Sequence, residues 1–346
     1  MKPAIARTVA AAALTAAFSA VSNAPAAAQA ILFNSFAPHN STIHTGVLLP
    51  WIEAVSKATE GRVKFTIPPQ NLAPPPEQMN MVRSGVADGA YMFAGFLLKS
   101  NPTVQLAFLP GTMKSGVADS VALWRTYVKH FKAKNPVKGV KLLGFFGVPP
   151  THLFNLKKEP ITSLAFYKGK KTWSLPGITA QAMAATGAVV VPGPAVRSYD
   201  ILSKGVVDAS CCLDFGDLNA LKLTQFIGAV TKVDGGVFSA KFAMFLSEKK
   251  WAAISPKDRA IIDQLSGEAL ARRSAAIDKS DADALRAYIG NGGVVVDASP
   301  AFNAELKNIW DPLRKAWAAE AGKLGIDANA ALDFYLEEAK KVAAEK

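Results

Sequence analysis

Arginine is missing from the middle of this 346-residue chain: none stands between Arg125 and Arg197. Cysteine is scarcer still, with only Cys211 and Cys212, side by side. Histidine is limited to His39, His44, His130 and His152. Each shortage excludes a chemistry. Two adjacent cysteines lack the CxxC spacing of a redox site. His39 and His44 have a spacing that suits two metal ligands, but no third ligand stands nearby, so they read as a surface or cleft pair without metal. The chain has no P-loop, no GxGxxG after a strand and no GxSxG elbow, and nothing else points to an enzyme or a cofactor. Beyond residue 30 there is no charge-free run of about 18 apolar residues, so no later segment is expected to span a membrane. Arginine-rich runs with interleaved aromatics are also absent, which removes nucleic acid from the expected partners.

What is present begins with the first thirty residues. Lys2 and Arg7 precede an apolar, alanine-rich stretch from Val9 to Val21, and Ala28-Gln29-Ala30 ends it as a small-x-small site. That is the pattern of a secretory signal peptide cleaved near Ala30, which places the mature protein in the periplasm. The remaining length suffices for two α/β lobes. The net charge is +12, of which Lys2 and Arg7 supply two; the other lysines are scattered, as at Lys168, Lys170 and Lys171, and favour solubility and anionic solutes. In an exported protein the two cysteines can oxidise. Neighbouring Cα atoms lie about 3.8 Å apart, below the usual disulfide range. A strained eight-membered ring and two reduced thiols both stay open.

Helix and strand signals alternate along the chain. Val47, Trp51, Val55 and Ala58 share one face of a helix over 41–58, which Gly61 ends. Strand periods follow over 62–67, 86–93, 140–148, 171–175, 188–191 and 206–211, with a pairing segment at 151–156. Thr179 reads as the N-cap of a helix ending at Gly187. FSAKFAMFL reads as an apolar segment that crosses between lobes, VVVDAS as another strand, and 301–344 as helical. This order predicts open sheets with helices on both faces. One echo stands out: Arg83-Ser84-Gly85-Val86-Ala87-Asp88-Gly89 resembles Ser203-Lys204-Gly205-Val206-Val207-Asp208-Ala209. Two lobes with equivalent strands explain it. Ligands bind beyond the carboxyl ends of strands in such sheets. Tyr91, Met92 and Phe93, and Cys211, Cys212, Leu213 and Asp214, are therefore candidates to face a shared cleft.

FNSFAPHNSTIH, EAVSKATEGRVKFTIPP, KEPITSLAFYKGKKTW and GAVVVPGPAVRSYDILSKGVVD occur in an order and spacing that resemble the extracytoplasmic solute-binding subunits of tripartite ATP-independent periplasmic (TRAP) transporters, the DctP-like family. The resemblance covers most of the mature chain. It implies an α/β fold of two lobes with a ligand cleft between them and a long helix spanning both. The boundaries it implies are 31–149 plus about 237–280 for lobe I, and 150–236 plus about 281–346 for lobe II. It also implies a small organic solute, usually an organic acid, handed to a small and a large integral membrane subunit, with an ion gradient and no ATP driving uptake. Two departures matter. The family's strand usually carries an arginine that forks onto the ligand carboxylate; here that position is Trp173. The family's Asn-Pro after the second aspartate joint is matched by Cys211-Cys212-Leu213. An indole stacks on flat rings or covers cations and cannot neutralise a carboxylate. The expected solute is therefore aromatic, apolar or cationic, with Phe36, Tyr91, Phe93, Phe154 and Trp173 as candidate walls. His39 and His152 are candidate polar contacts, Cys211 and Cys212 a candidate sulfur plate, and Asp214 a candidate partner for a cation. Plain core packing is the alternative for Trp173, and a helix N-cap for Asp214. Two other functions stay open: an organic acid held without the arginine, and an exported enzyme on the same fold.

Overall fold

The computed structural model describes residues 29–345. Most of the signal-peptide reading therefore lies outside the described residues. In chain order the elements are β1 (Gln29–Asn34), α1 (Leu49–Ala58), β2 (Val63–Thr66), α2 (Gln78–Arg83), β3 (Gly89–Phe93), α3 (Gly116–Thr126), β4 (Lys141–Gly147), β5 (Leu153–Asn155), β6 (Lys171–Ser174), α4 (Ile178–Ala184), β7 (Val189–Pro192), α5 (Ser198–Ser203), β8 (Ala209–Cys211), α6 (Phe215–Ala220), β9 (Ala229–Lys232), β10 (Lys241–Leu246), α7 (Glu248–Ala253), α8 (Pro256–Gln264), α9 (Glu268–Arg272), α10 (Ala275–Gly290), β11 (Val294–Asp297), α11 (Pro300–Lys323) and α12 (Ala328–Ala344). Short 3-10 segments and two π-helical turns, Ile43–Leu48 and Tyr127–Phe131, join them.

Two sheets organise these elements. The first runs β2-β1-β3-β10-β4 and the second β11-β9-β5-β8-β6-β7. In the first, β1 is parallel to β2 and β3, while β10 is antiparallel to β3 and β4. In the second, β6 is parallel to β7 and β8, and β5 is antiparallel to β8 and β9. The chain leaves the first lobe after β4 and returns before β10. These two crossing segments pair with each other: the Thr151 amide donates to Phe238 O at 2.7 Å, and the Val237 amide to Thr151 O at 2.9 Å. FSAKFAMFL thus both crosses, at Phe238, and supplies an interior strand of the first sheet. That location explains why every residue of β10 is buried.

Helix α11 touches both lobes. The Trp310 indole donates to Ala182 O at 2.9 Å, on α4 beside the second sheet. Two turns on, the Trp317 indole donates to Thr103 O at 3.3 Å, in the first lobe. The sequence-based boundary put everything after about residue 281 in lobe II, yet α12 packs on α3 beside the first sheet. There Arg125 donates to Glu338 at 2.7 Å and to both carboxylate oxygens of Glu268 at 2.7 and 2.9 Å. Thr179 is not an N-cap. Gly177, at φ 90°, precedes α4, and the Thr179 hydroxyl donates back to Leu175 O at 2.5 Å.

The internal echo has a physical basis. Gly85 and Gly205 both take left-handed backbone (φ 80° and 63°), which glycine reaches without a Cβ penalty. Each following aspartate then clasps the neighbouring parallel strand. Asp88 donates its amide to Leu32 O at 2.8 Å and accepts the Leu32 amide on Oδ2 at 2.9 Å. Asp208 does the same with Lys171, at 2.8 and 2.9 Å. The two joints are the same device, one in each lobe. Both set the register of the strand whose carboxyl end points toward the junction.

Candidate functional site

In the first lobe, the carboxyl ends of β1 and β3 gather an aromatic wall. Phe36 lies 4.8 Å from Tyr91 and 6.2 Å from Phe242, centroid to centroid. Phe93, only partly buried, meets Phe96, Phe108, Phe238 and Phe242 edge-on at 5.4 to 6.3 Å. Polar groups fix the wall from behind. The Tyr91 hydroxyl shares a hydrogen bond with Ser35 Oγ at 3.1 Å and accepts the Ala37 amide at 3.3 Å. Ser35 Oγ in turn meets His44 Nδ1 at 3.3 Å, and the exposed His39 ring stacks on His44 at 4.5 Å. Burial, aided by His39, lowers the His44 pKa, so the His44 ring is neutral at neutral pH. Phe36, His39, Tyr91 and Phe93 are thus brought together. Phe238, Phe242 and Ser35, which sequence reading did not single out, belong to the same wall.

In the second lobe, strand register aligns a row of side chains on one face of the sheet. Trp173 pairs with Val191 on β7 and with Ser210 on β8, and Ser210 pairs with Phe154 on β5. Trp173 is completely buried, and Phe154, Leu202, Val207, Leu213 and Phe215 belong to the same apolar cluster. Two atoms in this row are anomalous. The Trp173 indole Nε1 and the Ser210 hydroxyl are buried without a hydrogen-bond partner. A buried donor left unpaired costs about 1–3 kcal/mol, so such groups call for an explanation. The indole edge abuts Gly193 and Ile201: a Cβ at Gly193 would sit 3.2 Å from Nε1 and 3.3 Å from Ile201 Cδ1. Both residues also line an open groove of about 450 Å³ along α5. Ser210 was missed in the sequence, although strict alternation through β8 places it on the Trp173 face.

The cysteines form a disulfide between neighbours, and both are buried. Cys212 takes left-handed backbone, φ 78°. Few residues other than glycine accept that conformation; asparagine is one of them. The bend leads directly into α6, where Asp214 is the N-cap and its carboxylate accepts the Asp217 amide at 2.8 Å. Burial raises the Asp214 pKa to about 6. His152 sits on a crossing segment, where its Nδ1 accepts the Val233 amide at 3.3 Å; burial, with Lys232 nearby, pushes its pKa down. Phe154 packs edge-on against Phe215 at 6.0 Å inside the lobe. Asp214, His152 and Phe154 therefore have structural partners of their own.

Residues 33–320 match the bacterial extracellular solute-binding proteins, family 7 (DctP). The chain is 36% identical over 319 residues to the outer membrane transporter protein TsaT of Comamonas testosteroni, covering 91% of this chain and 94% of that one. A TRAP periplasmic solute-binding protein from Bordetella bronchiseptica, solved with bound (R)- and (S)-mandelate, superposes with a TM-score of 0.84 at 29% identity, over 90% of this chain and 99% of that one. A marine metagenome TRAP solute-binding protein specific for aromatic acid ligands, solved with 3-hydroxybenzoate, gives 0.81 at 26% identity, over 91% and 99%.

Proposed function

The chain belongs to the family 7 bacterial extracellular solute-binding proteins, the binding subunits of TRAP transporters, and from that premise we propose that its solute is a small aromatic carboxylic acid. The observation that carries the reading is the row on β6 and β8. Where the family's arginine would stand, this chain has a buried tryptophan with an unpaired N–H beside an unpaired serine hydroxyl. Neutral donors hold an oxygen without the strong, charge-assisted fork that a simple aliphatic dicarboxylate needs. A solute that trades one charge for a ring recovers affinity by stacking and burial. Phe36 and Phe93, the partly exposed rings of the wall, supply ring faces for that purpose, with the buried Tyr91 packed behind them. Mandelate and 3-hydroxybenzoate, the ligands of the two structural relatives, are both rings carrying one carboxylate.

This joins the two sequence-based options, an aromatic solute and a carboxylate held without arginine. A cationic solute is less favoured, because Asp214 is buried and engaged by α6. In the same reading the protein acts in the periplasm after signal cleavage. It binds and releases its solute unchanged and delivers it to the TRAP membrane subunits. Titration calorimetry with benzoate, 3-hydroxybenzoate, mandelate, succinate and malate tests the assignment. Binding of one or more aromatic acids, at least 100-fold tighter than either dicarboxylate (about 2.7 kcal/mol), is expected. A preference for succinate or malate refutes it, and recovery of a chemically altered solute would refute the non-enzymatic reading.

A further inference from the structure

Helix α10 fastens to both lobes within a single turn. Asp278 accepts the first two amides of α3, Gly116 N–H on Oδ1 at 2.7 Å and Val117 N–H on Oδ2 at 2.9 Å. Asp281, three residues on, accepts the first amide of α6, Phe215 N–H, at 2.6 Å. Side contacts divide the helix in the same way. Ser280 Oγ meets Thr42 Oγ1 of the first lobe at 3.1 Å, and Ala276 lies so close to Gly46 that a Cβ there would come within 2.7 Å of its own. At the other end the Tyr288 hydroxyl donates to Ile227 O of the second lobe at 3.2 Å.

The charges around the two fastenings differ. Asp278 faces Lys241 on β10 and Asp119 on α3, a fully buried pair at 3.6 Å. Asp281 faces only carboxylates: Asp214 and the exposed Asp217 on α6, and Asp278 on its own helix. Among the described residues, neither Asp281, Asp214 nor Asp217 has a lysine or arginine within ion-pair distance. We propose that the grip of α10 on α6 through Asp281, unlike its lock on α3 through Asp278, weakens as the carboxylates around that grip ionise. Ionised, Asp281 repels Asp214 and Asp217 across the α6–α10 contact; with a proton held among them, the contact closes. Burial raises the Asp281 pKa to about 7, with Asp214 adding to the rise, and Asp214 itself to about 6. Both lie above the unfolded carboxylate value. Their contribution to stability is therefore complete below that value and is lost as pH rises to about 7. α6 begins four residues after the end of β8, with the Cys212 bend between them. The proposal does not depend on which solute is bound.

The test uses the full mature protein. The wild-type melting temperature should fall by roughly 2–6 °C between pH 5.5 and pH 8 from these groups. In the same interval, amide exchange at Phe215–Asp217, corrected for its intrinsic pH dependence, should accelerate. Asp281→Asn should remove most of both changes and melt above wild type at pH 8. Asp217→Asn, at an exposed position that cannot upset folding, should flatten part of the slope. Asp278→Asn should loosen Gly116–Val117 without speeding exchange at α6. An unaltered pH slope in both Asp281→Asn and Asp217→Asn, or faster exchange at α6 in the Asp278 variant alone, would overturn the proposal.

Discussion

Replacing Trp173 separates the two roles assigned to it. The ring is completely buried, and its N–H has no partner. Trp173→Ala loses the ring and leaves a cavity, at a cost of about 3–5 kcal/mol. At about 2 °C per kcal/mol for a chain of this size, that is a fall of roughly 6–10 °C in melting temperature. Trp173→Phe keeps a ring but removes the N–H. The lost packing is offset by the end of an unpaired donor, itself worth about 1–3 kcal/mol, so apo stability should stay within ~1 kcal/mol of wild type. Binding should respond differently. If the N–H is paired by the solute's oxygen, Trp173→Phe loses one neutral hydrogen bond of about 0.5–1.5 kcal/mol, a roughly 2- to 12-fold weaker Kd. Differential scanning fluorimetry reads the first effect and calorimetry with the best aromatic acid reads the second. An aromatic-acid affinity unchanged in Trp173→Phe refutes the donor role, whatever happens to stability.

Three further outcomes follow from other parts of the molecule. Holding Cys212 in left-handed backbone without the ring costs about 1–3 kcal/mol, so Cys211→Ser with Cys212→Ser should melt ~2–6 °C lower, and Cys211→Ser with Cys212→Asn should recover most of that loss. Intact mass about 2 Da below the reduced value reports the ring directly. Arg125→Ala leaves Glu338, only 10% exposed, and Glu268 without their shared cation; a loss of ~1–3 kcal/mol and early proteolytic release of α12 are expected in a chymotrypsin time course. Finally, the small-x-small site Ala28-Gln29-Ala30 predicts signal cleavage near Ala30; N-terminal sequencing of the mature protein should read a start at about Ile31, and retention of the first thirty residues contradicts this.

Much of this architecture was legible because local and global signals agreed. Gly85 and Gly205 marked equivalent joints because the same left-handed stop and the same aspartate clasp recur in both lobes. The stretch 171–175 read as a strand around the apolar bulk of Trp173, and β6 covers Lys171–Ser174. Other features were hidden for physical reasons. AVTK at 229–232 is a buried central strand with too short a pattern to register. The side of the fold on which α12 lands depends on Arg125 meeting Glu338 across 213 residues, which no periodicity encodes. Asp214 could serve a cation or cap a helix on sequence grounds, and only the position of the Asp217 amide decides for the cap. The walls were half visible: Tyr91 and Phe93 followed from the joint, but Phe238 and Phe242 arrive from the returning strand. Asp278 and Asp281 carry no sequence signal, because their role depends on α3 and α6 pointing their first amides at them.

The central claim is that the lost arginine marks a change of solute class. Native mass spectrometry of freshly purified mature protein, with identification of whatever is released on denaturation, tests it most directly. A co-purified ring-bearing monocarboxylate, or its capture from an equimolar mixture with aliphatic dicarboxylates, is the predicted result. Release of a four-carbon dicarboxylate, or its capture in preference to the aromatic acids, would contradict the account and assign Trp173 to the core alone.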